Sequence, residues 1–234
     1  DGTPLFTKPG FTSLAVADIN GDGLRDVAAT GWSSDVIAIF WGKLDVCLAD
    51  EPAYIPAPGG PRDLKLVDLD GDGLLDMAAV MYTTGEAAFW KGDGKGGFTE
   101  VTRFPTRGAL PTRIEVADMN RDTLPDVVVS HCYNDDSIVI FYGNGPFQFS
   151  VSQELLLGEN RALLEEEIRD IAVADLNGDG RMDIATACYA SSAVRIEINA
   201  AESDGGIQKF RKELYTFEEG KPRALGLGDV NNDG

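Results

Sequence analysis

The feature that most constrains this chain is a nine-residue acidic stretch that it repeats. DINGDGLRD at 18–26 returns as DLDGDGLLD at 68–76, DMNRDTLPD at 118–126 and DLNGDGRMD at 175–183, with a shorter DVNNDG at 229–234. The starts lie 50, 50, 57 and 54 residues apart. A period of this length marks a repeat architecture in which each unit buries its apolar face against the next. The 234 residues therefore read as one region, not as unrelated domains.

Every acidic stretch has the same surroundings. A short apolar alternation precedes it (LAVAD at 14–18, LKLVD at 64–68, IEVAD at 114–118, IAVAD at 171–175, LGLGD at 225–229), which predicts a strand, here strand A of each repeat. Small or β-branched runs follow the complete stretches: VAAT from 27, MAAV from 77, VVVS from 127 and IATA from 184. These predict strand B. A polar turn leads to strand C, read in VIAIFW at 36–41, EAAFW at 86–90, SIVIFY at 137–142 and AVRIEI at 193–198. Strand D is less regular, with candidates at 96–104, 147–155 and 207–215.

Four short antiparallel strands about every 50 residues predict an all-β fold, a β-propeller of four-stranded blades. The repeats fall at 11–60, 61–110, 111–167 and 168–221, with a partial one at 222–234 and the remnant of a preceding blade at 1–10. A propeller piece with unpaired edges is expected to close its ring with further blades or with other chains.

A hydrophobic fraction of 43% with eleven Phe, three Trp and six Tyr is enough to build a core, so the acidity is not that of a disordered chain. A net charge of -19 excludes nucleic acid and anionic membrane surfaces as natural partners. No apolar run is long enough for a membrane helix, so membrane insertion is not expected. Cys47, Cys132 and Cys188 are too few for a disulfide framework and read as buried thiols.

Within each acidic stretch, positions 1, 3, 5 and 9 carry side-chain oxygens, and position 7 can offer its backbone carbonyl. Hard oxygen ligands in a flexible loop suit Ca2+, about one ion per complete loop in a structural role. An EF-hand would need Glu at position 12 and flanking helices, whereas Ala29, Ala79, Val129 and Thr186 stand there inside β-type runs. A single such stretch is explained by turn chemistry alone, but four in one strand context are not.

On these loops and their strand context the chain resembles the VCBS and FG-GAP repeat family, the propeller blades of integrin α-subunits and of many secreted microbial proteins. The resemblance implies that each loop joins strands A and B and binds calcium structurally. Carried over residue by residue, the ligands are Asp18, Asn20, Asp22 and Asp26; Asp68, Asp70, Asp72 and Asp76; Asp118, Asn120, Asp122 and Asp126; and Asp175, Asn177, Asp179 and Asp183, with the carbonyls of Leu24, Leu74, Leu124 and Arg181. The third loop departs from the pattern at Arg121 and Thr123, where glycine would adopt a positive φ freely, and a weaker or distorted site is expected there. The fifth has Asp229, Asn231 and Asp233 without a closing Asp.

Structural calcium leaves function to the opposite ends of the blades. There Trp32, Tyr82, Tyr133 and Tyr189 each follow strand B beside polar groups, suited either to a sugar or peptide ligand or to packing between blades. Arg62, Arg113, Arg169 and Arg223 open the A strands and could attract a carboxylate, although pairing with Asp63, Asp170 or Glu167 is the more ordinary explanation. The lone histidine, His131, has no Cys or His partners for zinc and reads as buried. The expectation is an extracellular or cell-surface adhesion module for a glycan or protein, not an enzyme, with a polysaccharide lyase as the alternative.

Overall fold

The computed structural model describes residues 10–45, 47–49, 51–132, 136–156, 167–204, 207–218 and 220–228. The fold is an all-β propeller built of four-stranded antiparallel blades, each a simple meander. The first sheet is formed by β1 (Phe11–Ala17), β2 (Asp26–Gly31) and β3 (Val36–Phe40). A small ribbon of β4 (Gly42–Lys43) and β5 (Cys47–Leu48) intervenes before β6 (Ala53–Pro56) pairs with β3.

The second sheet holds β7 (Pro61–Val67), β8 (Asp76–Met81), β9 (Glu86–Gly92) and β10 (Phe98–Pro105). The third holds β11 (Pro111–Ala117), β12 (Asp126–His131), β13 (Ser137–Gly145) and β14 (Gln148–Leu156). The fourth holds β15 (Ile168–Ala174), β16 (Asp183–Cys188), β17 (Ala193–Asp204) and β18 (Ile207–Thr216). Among the described residues no helix is long and apolar enough to cross a membrane.

The chain divides into two compact units, Asp1–Ile114 with Gly145–Phe147, and Glu115–Asn144 with Gln148–Gly234. In the first, Ile37, Ile39, Leu64, Met77, Met81 and Trp90 form the core, with Trp41 packed against it. In the second, Met119, Ile138, Ile140, Ile168, Ile171 and Ile184 do so around Tyr142. Each large side chain so buried contributes about 1.5–3 kcal/mol. Tyr142 keeps its hydroxyl satisfied by donating to Gln153 Oε1 at 2.6 Å.

The B strands explain why their sequence shows no alternation. Every position of β8, β12 and β16 is buried, because an inner strand covered on both faces has no wet side. Alanine and valine fill the narrow space. His131 is buried there, its Nδ1 3.3 Å from Ser137 Oγ. Cys132 and Cys188 are buried, whereas the side chain of Cys47 lies outside the described residues.

Asp63 and Asp170 each accept a backbone N–H from the next strand A. Asp63 Oδ2 accepts the Ile114 N–H at 2.9 Å, and Asp170 Oδ2 accepts the Leu225 N–H at 2.8 Å. Each carboxylate thus staples one strand A to the start of the next, where a strand edge would otherwise leave a backbone donor unpaired. Arg169 pairs with Glu167, one of the carboxylates that the sequence offers.

Candidate functional site

The acidic loops share one backbone design. In the first, Asp18 accepts the Asp22 N–H through Oδ1 at 3.1 Å and the Gly23 N–H through Oδ2 at 2.9 Å, while Asp22 Oδ1 accepts the Leu24 N–H at 2.8 Å. Asp118 does the same for Asp122 and Thr123, and Asp175 for Asp179 and Gly180. In the second loop Asp68 accepts from Gly71 and Gly73. The backbone donors led by Gly180 hold the Asp175 carboxyl below the usual carboxylate range. These bonds curl the loop around its own oxygens, the geometry that aspartate supplies in turns.

The curl requires positive φ at positions 4 and 6. Gly21 and Gly23 adopt 74° and 85° without strain, but Arg121 and Thr123 sit at 65° and 71°. The third loop nevertheless makes the same hydrogen bonds as the first. Its departure in sequence therefore appears as backbone strain, of order 1–2 kcal/mol per residue, and not as a distorted loop.

Position 9 does more than the sequence indicates. Asp26, Asp76, Asp126 and Asp183 are completely buried. One oxygen of each accepts the N–H of loop position 2: Ile19, Leu69, Met119 and Leu176, at 2.8–3.0 Å. The other accepts an N–H at the end of strand C: Gly42, Gly92, Gly143 and Asn199, at 2.7–2.9 Å. The glycine is required by this close approach, since a Cβ on Gly92 would stand 2.0 Å from the Leu75 carbonyl oxygen. In the fourth blade Asn199 replaces glycine and donates its Nδ2 to Met182 O at 3.2 Å and Met119 O at 2.9 Å.

Burial pushes the Asp126 carboxyl up to about 6, with the Asp122 and Asp118 charges adding to it and the N–H groups of Gly143 and Met119 opposing. Asp76 is raised for the same first reason, with Asp70 and Asp72 adding to it. A buried carboxylate beside two others favours a cation nearby. In the second loop Asp68, Asp70 and Asp76 bring carboxylate oxygens within 4.8 Å of one another, a donor set of hard oxygens that fits calcium.

That loop also holds a positive side chain of its own. Asn20, Asn120 and Asn177 at position 3 donate Nδ2 to the position-5 carboxylate at 2.9–3.1 Å. Asp70 has no such proton to give, and Lys91 from β9 fills the gap by bonding both Asp70 and Asp72, the latter at 2.8 Å. The lysine bond, first among its causes, draws the Asp72 carboxyl below its usual range. A calcium ion binding there would have to displace this ammonium. Replacing Lys91 with Met is expected to tighten calcium binding at the second loop by about fivefold, the scale of an exposed ion pair, as read by calorimetric titration. Unchanged affinity would show that Lys91 does not compete.

The opposite ends of the blades carry the aromatic set. Trp32 begins a 3-10 turn (Trp32–Ser34), is 40% exposed, and meets Tyr82 edge to face at 6.0 Å. Arg62 lies over Tyr82 at 5.0 Å. Tyr189 carries Arg169 at 5.0 Å in the same manner, and in addition Lys221 at 4.7 Å and Arg223 at 4.9 Å. The arginines and aromatics that the sequence lists separately are thus one feature. Tyr133 and the fifth loop's Asp229, Asn231 and Asp233 lie outside the described residues.

Blades whose first two strands are joined by such acidic loops define a class of repeat propeller. The profile of the FG-GAP-like repeat matches residues 18–79, 68–129 and 118–186, and the chain belongs to that family. No curated relative matches it in sequence. Among solved structures it is similar to a Lactobacillus plantarum protein (TM-score 0.61, 11% identity), covering 85% of this chain and 56% of that one. It is similar to the periplasmic gluconolactonase of Pseudomonas aeruginosa (TM-score 0.57, 16% identity), with 86% and 55% covered. A functionally unknown protein from Desulfotomaculum acetoxidans also resembles it (TM-score 0.56, 16% identity), with 86% and 61% covered. The chain thus spans little more than half the length of these structures, and at such identities the likeness shows the fold alone.

Proposed function

We propose that the chain is a calcium-stabilised binding module acting outside the cytoplasm, and that it recognises a glycan or a protein through the ends of its blades remote from the acidic loops. The observation that carries this reading is the solvent-facing Trp32, braced on Tyr82 beneath Arg62. An indole left 40% exposed on a rigid aromatic support is the kind of anchor that ligand surfaces use. Calcium in the loops would neutralise carboxylates and hold strands A and B together, so that the turns at the other end keep their places.

Placement outside the cytoplasm is supported by the calcium need of such loops, which extracellular concentrations meet. The gluconolactonase neighbour is periplasmic by its description. A glycan array probed with the chain in millimolar calcium is expected to give hits that Trp32→Ala abolishes while its melting temperature holds. Hits that survive Trp32→Ala would remove this face from the binding role. A blank array from the folded, calcium-loaded chain would turn the reading to a protein ligand, to be sought by crosslinking at position 32.

A further inference from the structure

We infer that the turn end of the fourth blade, around Tyr189, is a receptor for a single carboxylate carried on an otherwise neutral ligand, and that a sugar acid is the class it fits. This rests on the binding role proposed for these blade ends and specifies the ligand of one of them.

Three cations surround one ring: Arg169, Lys221 and Arg223 stand 4.7–5.0 Å from the Tyr189 centroid. A ring has two faces, so at least two of the cations share one. Attraction to the ring offsets part of their repulsion, but it supplies no negative charge. Arg169 bonds Glu167. Among the described residues no carboxylate lies within ion-pairing distance of Lys221 or Arg223. In a chain with 39 acidic and 20 basic residues, a cluster with unbalanced positive charge is not the default.

The fold does not require it either. Counting back from each acidic loop, Arg62, Arg169 and Arg223 occupy the same place, and the third repeat has Thr112 there. Tyr82 stands in the second blade where Tyr189 stands in the fourth, yet the segment following its blade brings Leu110 and Thr112 where Lys221 and Arg223 stand. The second blade forms its sheet and its Arg62–Tyr82 contact with uncharged residues at those two aligned places. The segment carrying them is set in place by the Leu225 N–H on Asp170, the same bond that Ile114 makes to Asp63.

The chemistry selects the ligand. Guanidinium groups match a carboxylate with paired donors. Arg223 donates to the Tyr189 hydroxyl at 3.2 Å, which leaves the phenolic proton to be donated to a ligand oxygen. The net charge of -19 repels a dense polyanion while the local cluster attracts an isolated anionic group. Tyr189 is followed by Ala190, Ser191 and Ser192, and a hydroxyl-bearing turn suits a polyhydroxylated body better than an apolar side chain.

The test is a ligand-observed NMR titration of the calcium-loaded chain with methyl glucuronide, methyl glucoside and a short peptide with a free C-terminus. The glucuronide is expected to bind at least about tenfold more tightly than the glucoside, to weaken with added salt, and to lose about tenfold on Arg223→Gln with the melting temperature unchanged. Lys95→Gln, which removes an exposed positive charge from the second blade, is expected to leave that binding intact. Equal binding of glucuronide and glucoside, or indifference to Arg223→Gln, would overturn the proposal, and binding of the peptide alone would overturn its sugar part. If the glucuronide fails while Trp32-dependent array hits persist, this inference falls and the broader reading stands. Failure of both sinks both.

Discussion

If the four complete loops bind calcium as proposed, stripping the ion is expected to lower the unfolding free energy by about 5 kcal/mol and the melting temperature by many degrees. The figure follows from mass action: at ~1 mM calcium and a dissociation constant on the order of 0.1 mM, one site contributes about 1.4 kcal/mol, and there are four complete loops. Lys91 reduces the share of the second loop, because its ammonium already bonds Asp70 and Asp72. The effect depends on pH in a direction that the buried carboxylates set. Asp126 lies at about 6 in the metal-free fold, above its ordinary 3.8. A folded-state value that is raised means stability present while the group is protonated, below its ordinary value, and lost as pH rises through about 6. Calcium offsets that loss by compensating the ionised group. The stabilisation on adding calcium to metal-free protein should therefore be larger at pH 7.5 than at pH 5, as read by calorimetric melting. Identical melting curves with and without calcium at both pH values would remove calcium from the account of this fold.

The loops and the A, B and C strands were legible because their chemistry repeats: oxygens at fixed spacing, then a run of small or β-branched residues. The last strand of the first blade was not. Ala53–Pro56 is short, ends in proline, and follows the β4–β5 ribbon, so neither period nor glycine turn announces it. The paired duty of position 9 was hidden for a different reason. Spacing shows a carboxylate at Asp76, but not that Gly92, sixteen residues on, points its N–H at it. A signal was present in Gly42, Gly92 and Gly143, each at the end of strand C and each pressed against a loop carbonyl. Lys91 and Lys221 were equally silent, since a lone lysine in a strand or connecting segment carries no pattern. Its meaning comes from the groups opposite, which only the fold brings close.

Position 9 yields the second large effect. Asp76→Ala is expected to cost about 4 kcal/mol in metal-free protein, because it strips the acceptor from two buried N–H groups, those of Leu69 and Gly92, each bonded at 2.9 Å. Each buried donor left unsatisfied costs about 1–3 kcal/mol, and the methyl group that remains bonds neither. The damage would reach beyond the loop, since Gly92 ends β9 and Leu69 lies two residues past β7: the carboxylate ties the first and third strands of the blade to the start of the second. Asp22→Ala provides the contrast. That side chain is exposed at the loop tip, its bonds are to Leu24 and Asn20 within the same turn, and its loss should cost under about 1 kcal/mol without metal. In millimolar calcium each variant also forfeits a ligand of its own loop, so the metal-free comparison is the one that isolates the two buried N–H groups. Urea unfolding of the two variants, each with and without calcium, separates the roles. If both cost the same in the metal-free protein, position 9 is a ligand like the others and the staple is not what holds the blade.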